Sequence, residues 1–177
     1  MNYKETMSFY TPQQPTKRLN PYATHLPLLL SAVARTTGPI LELGTGLSST
    51  FILHEICKVM DRRLVSLESD KDWYKKFTQL KSNTHELYLI DKYEDCQLID
   101  EEWDVVLIDH APAGRRKEDL KRVKNAQYII LHDTEPRSEI HYHLDEPMNK
   151  FKYRFDFNKY DLWATIVSNH HDLSNIV

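Results

Sequence analysis

Short apolar runs alternate with stretches of helical periodicity along most of this chain. Strand-like runs occur at residues 40–43, 64–68, 86–90, 103–109 and 127–133. Apolar positions spaced three and four residues apart predict helices at 21–36, 50–60, 71–83 and 115–124. Strands and helices that alternate at this spacing form βαβ units, which predicts a parallel sheet with helices on both of its faces.

The alternation of strands with helices ends after residue 133. Residues 151–158 alternate apolar with polar side chains, and another apolar run at 162–169 follows after a short link. Two strands joined by so short a link predict an antiparallel hairpin rather than a crossover. The sequence therefore predicts an α/β fold with a doubly wound, mostly parallel seven-stranded sheet and a C-terminal antiparallel hairpin. We expect residues 1–20 to form an N-terminal arm and residues 21–177 to form a single domain.

Composition narrows the class of protein. The chain has 177 residues, of which 41% are hydrophobic and 28% charged, as is usual for one soluble globular domain. Its net charge of −3 argues against broad electrostatic binding to nucleic acid or to an anionic membrane. No apolar run approaches the ~18 residues of a membrane span, and residues 1–18 lack the apolar region of a signal peptide. We expect a cytoplasmic protein with two reduced cysteines, Cys57 and Cys96.

The most informative stretch follows the first predicted strand. Gly44 and Gly46, two of only four glycines in the chain, lie between that strand and the helix at 50–60. Acidic side chains end the first two strands, Glu42 in the first and Glu68 in the second. A glycine turn between a strand and a helix brings backbone N–H groups against a ligand at the helix N-terminus. The pattern indicates a nucleoside-binding site.

Four features resemble the class I S-adenosylmethionine-dependent methyltransferases. They are the motif Glu42-Leu43-Gly44-Thr45-Gly46, the acidic Glu68, the run at 103–109 with its acidic end, and the C-terminal hairpin. The resemblance covers about residues 22–169 and implies a Rossmann-like methyltransferase domain and an enzyme. One position departs from it, because this chain has Ser48 where many members have a third glycine.

The resemblance also implies which residues hold S-adenosylmethionine. Glu68 corresponds to the acid that contacts the ribose hydroxyls, and Tyr93 follows the third strand, where the family frames the adenine. Tyr22 and His25 lie in a segment that family members often run over the cofactor. The expected cofactor-binding residues are therefore His25, Glu42, Gly44, Thr45, Gly46, Glu68, Ser69, Tyr93 and Asp109.

A nicotinamide-dependent oxidoreductase is the main alternative, since it uses the same acidic residue on a ribose. Its fingerprint, however, requires a glycine at the position of Ser49. A cationic sulfonium without phosphates is also compatible with Glu42 at the end of the first strand, whereas a pyrophosphate is not. The acidic strand ends favour the methyl donor. A non-catalytic partner subunit with the same fold is a second alternative.

Polar residues end the fourth and fifth predicted strands, at the edge where open α/β sheets bind ligands. We expect Asp109, His110, His132 and Asp133 to form the catalytic side of the site. Either His110 or His132 acts as a general base, since histidine titrates near neutral pH. Alternatively, Asp109 and Asp133, with or without Glu135, hold Mg²⁺ through oxygen ligands, as some O-methyltransferases of the family do.

Arg115 and Arg116 open a basic helix on the same edge, where they either form a solvated face or bind an anionic group of the acceptor. Glu135 is the third residue that we expect near the acceptor. The chemistry predicted is methylation of a small molecule, most simply at oxygen, with a sugar, a nucleotide-sugar or another anionic metabolite as the acceptor. The chain has no inserted substrate domain, so the arm, residues 134–150 or a second subunit of a homodimer would cover the site.

Overall fold

The computed structural model describes residues 21–177, so the predicted N-terminal arm at 1–20 lies outside the described residues. Strands β1 to β7 span Ile40–Leu43, Leu64–Glu68, His85–Leu89, Val105–Ile108, Tyr128–His132, Tyr153–Phe157 and Ala164–Ser168. They form one sheet in the order β3-β2-β1-β4-β5-β7-β6. Strands β1 to β5 are parallel, and β7 is antiparallel to both β5 and β6. The predicted fold class and the C-terminal hairpin are confirmed.

Among residues 21–177, six α-helices precede or connect these strands. Helices α1 to α6 span Leu26–Ala34, Thr50–Val59, Lys71–Lys75, Arg116–Arg122, Pro136–Tyr142 and Asp145–Met148. Short 3₁₀ turns lie at Pro21–Ala23, Thr78–Leu80, Tyr93–Asp95, Gln97–Asp100 and Ala113–Arg115. Across residues 21–177, no helix is long and apolar enough to cross a membrane.

Two helical segments differ from the prediction. Of the helix predicted at 71–83, only Lys71–Lys75 is α-helical, and a 3₁₀ turn follows at Thr78–Leu80. The helix stops here because Phe77 and Leu80 turn inward to pack against Leu87 of β3. Helices α5 and α6 occupy residues that the sequence pattern left without an element. Their segment is mostly polar, so it lacks the apolar periodicity that identifies a helix. The buried Leu144 and Met148 and the partly buried Tyr142 pack this segment against one of the two main hydrophobic clusters.

Hydrophobic side chains pack on both faces of the sheet. Along β1, Leu41 and Leu43 belong to one buried cluster, and Ile40 belongs to the other. Helix α4 contributes Leu120 to the first cluster, while α2 contributes Leu53 to the second. This arrangement confirms helices on both faces. It also places the ends of β1, β2, β4 and β5 together at one edge, because parallel strands share a carboxyl edge.

Gly44 is the tightest backbone position at this edge. Its φ is +89°, and its N–H donates to the carbonyl of Leu67, 2.9 Å away. A Cβ on Gly44 would lie 2.7 Å from the carbonyl oxygen of Asp109 and from the Cα of His110. The chain after β1 therefore passes directly against the chain after β4, and only glycine fits there.

Replacement of Gly44 by alanine should destabilise the protein strongly. We expect Gly44→Ala to lower the free energy of unfolding by about 2–5 kcal/mol, from the positive φ together with the backbone overlap. Gly46→Ala is the matched control, because a Cβ there meets only the Ser49 hydroxyl, at 3.2 Å. It should change the free energy of unfolding by less than about 1 kcal/mol. Urea unfolding of both variants tests this, and equal losses would contradict it.

Candidate functional site

Two cavities flank the glycine loop, which we define as residues 44–49. The first, of about 520 Å³, is lined by residues 45–49 and by Tyr22, His25, Trp73, Asp109, Arg116, His132 and Asp133. The second, of about 430 Å³, is lined by Gly44, Thr45, Glu68, Asp70, Asp72, Trp73, Lys76, Asp109, His110 and Ala111. Both volumes are typical of small-molecule sites. Thr45, Trp73 and Asp109 border both cavities, so one ligand can extend around the loop.

Glu68 holds the glycine loop against the end of β2. One carboxylate oxygen accepts hydrogen bonds from the backbone N–H and the hydroxyl of Thr45, both at 2.9 Å. The other oxygen accepts from the N–H groups of Ser69 and Asp70, both at 2.8 Å. A carboxylate has about four lone-pair sites, so the protein itself fills all of them. The Thr45 hydroxyl is the donor that a ligand hydroxyl can replace without moving the backbone.

Glu42 lies beneath the loop and borders neither cavity. Its carboxylate is fully buried and accepts hydrogen bonds from the hydroxyls of Thr50, at 3.0 Å, and Ser66, at 2.6 Å. Burial raises the pKa of Glu42 to about 7, and the charge of Asp109 acts in the same direction. We expected direct contact with the cofactor, but Glu42 instead positions the first turn of α2.

The structure overturns the expectations for Tyr93 and His110. The Tyr93 ring is only 2% exposed and borders neither cavity, so it does not form an adenine platform. It stacks on His110 with 4.0 Å between ring centroids. The His110 ring lies in the core with Nε2 3.1 Å from a carboxylate oxygen of the buried Asp119, and burial lowers the pKa of His110. His110 is therefore not placed to take a proton from an acceptor.

Arg116 connects the ends of β4 and β5. Its Nε donates to the carbonyl of His110 at 2.9 Å, and Nη1 donates to the carbonyl of His132 at 3.0 Å. The same guanidinium contacts both acidic side chains, with Asp109 at 3.0 Å and Asp133 at 3.3 Å. The Mg²⁺ site expected between Asp109 and Asp133 is thus occupied by a guanidinium cation. An ion held between these two oxygens, Oδ1 of Asp109 and Oδ2 of Asp133, would have to displace the guanidinium.

Arg115 and Glu135 also have protein partners. Arg115 forms two hydrogen bonds to Asp119, at 3.1 and 3.2 Å. Glu135 accepts from the Ser138 hydroxyl at 2.6 Å and from the Trp163 N–H at 3.2 Å. Neither side chain borders the two cavities, so the structure does not support their contact with an acceptor. An acid four residues after Arg115 was a sequence signal for this pairing.

His25, Asp109 and His132 converge on the wall of the first cavity. His132 Nδ1 lies 3.2 Å from Asp109 Oδ2 and 3.5 Å from Asp133 Oδ1. The His25 ring packs edge-on against His132 with 4.9 Å between centroids. Burial lowers the pKa of His25 to about 4, which keeps this imidazole neutral at neutral pH. For Asp109, burial would raise the pKa, but the His132 hydrogen bond and nearby positive charges outweigh it and lower the pKa.

Trp73 is a site residue that the sequence analysis did not identify. Its indole N–H donates to the carbonyl of Thr45, and the Lys76 ammonium lies 3.6 Å from the ring centroid. Asp70 caps α3 by accepting from the Trp73 N–H at 2.7 Å, which directs this helix towards the glycine loop. The available signal was an aromatic residue in the first turn of the helix after Glu68. Ser69 donates its backbone N–H to Glu68, and its hydroxyl lies 3.4 Å from the carbonyl oxygen of Ala111.

Removal of the Arg116 guanidinium should destabilise the protein. Arg116→Ala leaves Asp109 and Asp133 without their shared partner, so we expect a loss of about 3–5 kcal/mol in the free energy of unfolding. Arg137→Ala is the control, because this arginine is 67% exposed, and its partner Glu135 keeps its hydrogen bonds to Ser138 and Trp163 in the variant. Arg137→Ala should lower the free energy of unfolding by no more than about 1 kcal/mol. Urea unfolding distinguishes the two variants, and similar losses would refute the role of Arg116.

The buried Glu42 makes stability depend on pH in a defined direction. Its folded-state pKa of about 7 lies above the ordinary glutamate pKa of 4.5, so ionisation disfavours the folded state as pH rises between these values. Ionisation of Glu42 lowers the free energy of unfolding by about 3 kcal/mol at pH 8 and has no effect below about pH 4. Glu42→Gln cannot ionise, so its stability relative to the original chain should rise between pH 5 and pH 8. A stability difference that is the same at both pH values, measured by urea unfolding, would contradict this.

Comparison with known proteins gives structural matches only. The sequence matches no family model and no curated protein. A protein from Klebsiella pneumoniae assigned as an O-methyltransferase is 16% identical, covers 94% of this chain and 95% of its own, and has a TM-score of 0.62. The O-methyltransferase TomG from Streptomyces achromogenes, crystallised with S-adenosylmethionine, is 16% identical with coverages of 93% and 87% and a TM-score of 0.59.

Spermidine synthase from Thermotoga maritima is also similar in structure. It is 15% identical with a TM-score of 0.58, and this chain covers 60% of its length. Identities this low establish similarity of fold. The described residues therefore have the fold of the class I S-adenosylmethionine-dependent methyltransferases, with the strand order and terminal hairpin described above.

Proposed function

We propose that this protein is a methyltransferase that uses S-adenosylmethionine to methylate an oxygen atom of a small-molecule acceptor. One observation carries the proposal: Glu68 clamps the glycine loop between two cavities at the carboxyl edge of the sheet. The fold shared with TomG, which was crystallised with S-adenosylmethionine, supports the same cofactor. An enzyme of this class needs such a loop because the cofactor must contact the backbone closely.

The residues around the second cavity suit the nucleoside part of the cofactor. Rotation of the Thr45 hydroxyl frees one lone pair of Glu68 for a ribose hydroxyl, while the backbone bonds to this carboxylate remain. Trp73 adds an aromatic wall shared with the first cavity. Thr45 and Asp109 then lie where the cofactor would pass from one cavity to the other. The roles of Gly44, Gly46 and Ser69 in binding remain predictions.

The first cavity suits the acceptor and the methyl group. When bound, S-adenosylmethionine would supply an activated methyl group for transfer to the acceptor oxygen. Alignment of acceptor, methyl and sulfur supplies much of the catalysis in such a reaction, up to ~7–11 kcal/mol. Asp109, His132 and Asp133 border this cavity and remain the predicted catalytic side.

The size and charge of the first cavity indicate the class of acceptor. About 520 Å³ admits a small molecule, which supports the small-molecule prediction. An anionic acceptor has less support than the sequence suggested, because Arg116 is bonded to two carboxylates and Arg115 lies outside the cavity. The two similar O-methyltransferases favour oxygen as the methylated atom.

Ligand-induced stabilisation tests the cofactor. At 100 times its dissociation constant, S-adenosylhomocysteine should raise the free energy of unfolding by ~2.7 kcal/mol. Glu68→Gln has one acceptor oxygen fewer, and a tenfold weaker affinity at the same concentration would leave only ~1.4 kcal/mol. Glu118→Gln, at an exposed position of α4, is the control and should respond like the original chain. The measurement is urea unfolding with and without ligand, followed by methyl-donor assays against hydroxylated acceptors.

Two results would overturn the proposal. Stabilisation by NAD(H) but not by the sulfur nucleosides would indicate an oxidoreductase. No stabilisation by either ligand would indicate a non-catalytic protein with this fold. Because each variant is compared with and without ligand, a loss of basal stability in Glu68→Gln does not affect the result.

A further inference from the structure

His25 is an unusual buried histidine. It is only 1% exposed, yet neither ring nitrogen has a hydrogen-bond partner among the described residues. A buried polar group without a partner is unfavourable, so such a group in a cavity wall calls for an explanation. The ring lies against His132 and borders the first cavity. A ligand that binds the lone pair of one ring nitrogen would give the imidazole a partner.

Asp109 and His132 each place a further potential metal-ligand atom close to the His25 ring. One ligand atom from each of His25, Asp109 and His132 lies within 4.8 Å of the other two. Arg116 binds Oδ1 of Asp109, whereas Oδ2 faces Nδ1 of His132 at 3.2 Å. The three groups therefore present two imidazoles and one carboxylate oxygen to a common point.

The surroundings of His132 match those of a metal ligand. Its Nε2 lies 3.0 Å from the hydroxyl of Thr24. A histidine that binds a metal through one nitrogen usually holds its other N–H in a hydrogen bond, which fixes the ring orientation. With a metal in place of the proton on Nδ1, Nε2 would donate to the Thr24 hydroxyl, and this bond would hold the ring in the orientation that ligation requires.

We propose that His25, Asp109 and His132 bind one divalent first-row transition-metal ion, of the kind represented by Zn²⁺ and Fe²⁺. Two nitrogen ligands and one oxygen suit these ions, whereas Mg²⁺ prefers oxygen ligands alone. Three protein ligands leave coordination positions open, and these face the first cavity. This site uses His25 and excludes Asp133, so it differs from the Mg²⁺ pair expected from the sequence.

The proposal does not depend on methyl transfer, because metal binding is measured directly. Chelator-treated protein without a polyhistidine tag is titrated with Zn²⁺, Co²⁺ and Mg²⁺ by isothermal titration calorimetry. We expect one equivalent of Zn²⁺ per chain, a visible absorption band from bound Co²⁺, and no binding of Mg²⁺ at this site. Mass spectrometry of the native protein gives the stoichiometry independently.

Variants then locate the ion. His25→Gln removes a ligand and should weaken Zn²⁺ binding by more than the roughly 10- to 100-fold that loss of an outer-shell partner costs. Thr24→Val removes the outer-shell hydroxyl and should weaken binding by roughly 10- to 100-fold. His85→Gln is the matched control, because His85 is also buried and lies 3.2 Å from another histidine, His54, but is outside the cluster. It should bind Zn²⁺ as the original chain does.

Several outcomes would overturn the site. Absence of bound Zn²⁺ and of the Co²⁺ band in the original chain would do so without any variant. Undiminished binding in a folded His25→Gln variant, or loss of binding in folded His85→Gln, would place the metal elsewhere. Circular dichroism establishes folding. If His25→Gln does not fold, the Thr24→Val affinity and the Co²⁺ spectrum decide the question.

Discussion

The candidate site depends on one buried guanidinium. Arg116, the first residue of α4, donates to main-chain carbonyls after β4 and at the end of β5, and to Asp109 and Asp133. Two carboxylates this close would otherwise repel each other in a partly buried setting. The guanidinium offsets that repulsion and holds the two strand ends together. It also leaves one oxygen of Asp109 directed at His132, which defines the wall of the first cavity.

The glycine loop is held from two sides. At the end of β2, Glu68 accepts from the backbone N–H of Thr45 in the loop. Beneath the loop, Glu42 accepts from the hydroxyl of Thr50 at the start of α2. Gly44 lies against the chain after β4 with no room for a Cβ. The loop is therefore rigid, and a preformed loop binds a ligand with little loss of conformational entropy. Glu42, once ionised above its pKa of about 7, adds negative charge beneath the loop, which favours a cationic ligand.

The structural neighbours illustrate why fold and function are separate conclusions. Two O-methyltransferases and a spermidine synthase have the same fold as this chain at 15–16% identity. One sheet thus supports different reactions, and the chemistry must be argued from the site. Here the site combines a glycine loop clamped by Glu68 with two histidines and an aspartate. The first feature supports the methyl donor, and the second supports a metal ion close to the acceptor.

The sequence by itself determined the architecture. Periodicities of two and of about 3.6 residues are local properties, so they predicted the β1 and β2 bounds, the parallel sheet and the C-terminal hairpin. Strand ends share one edge in such a sheet, so the position of the site was also predictable. The polar segment of α5 and α6 carried no comparable local signal.

Only the tertiary structure decided the partners of the side chains. The rings of Tyr93 and His110 lie in the core, where they stack on each other, and Arg116 binds the two acids expected to hold a metal. Thr24 and His132 meet across 108 residues of sequence. Such contacts depend on how distant segments pack, and residue type does not specify which of several available partners a charged or polar group will find. The sequence therefore identified the edge of the sheet, and packing selected the residues that face the cavities.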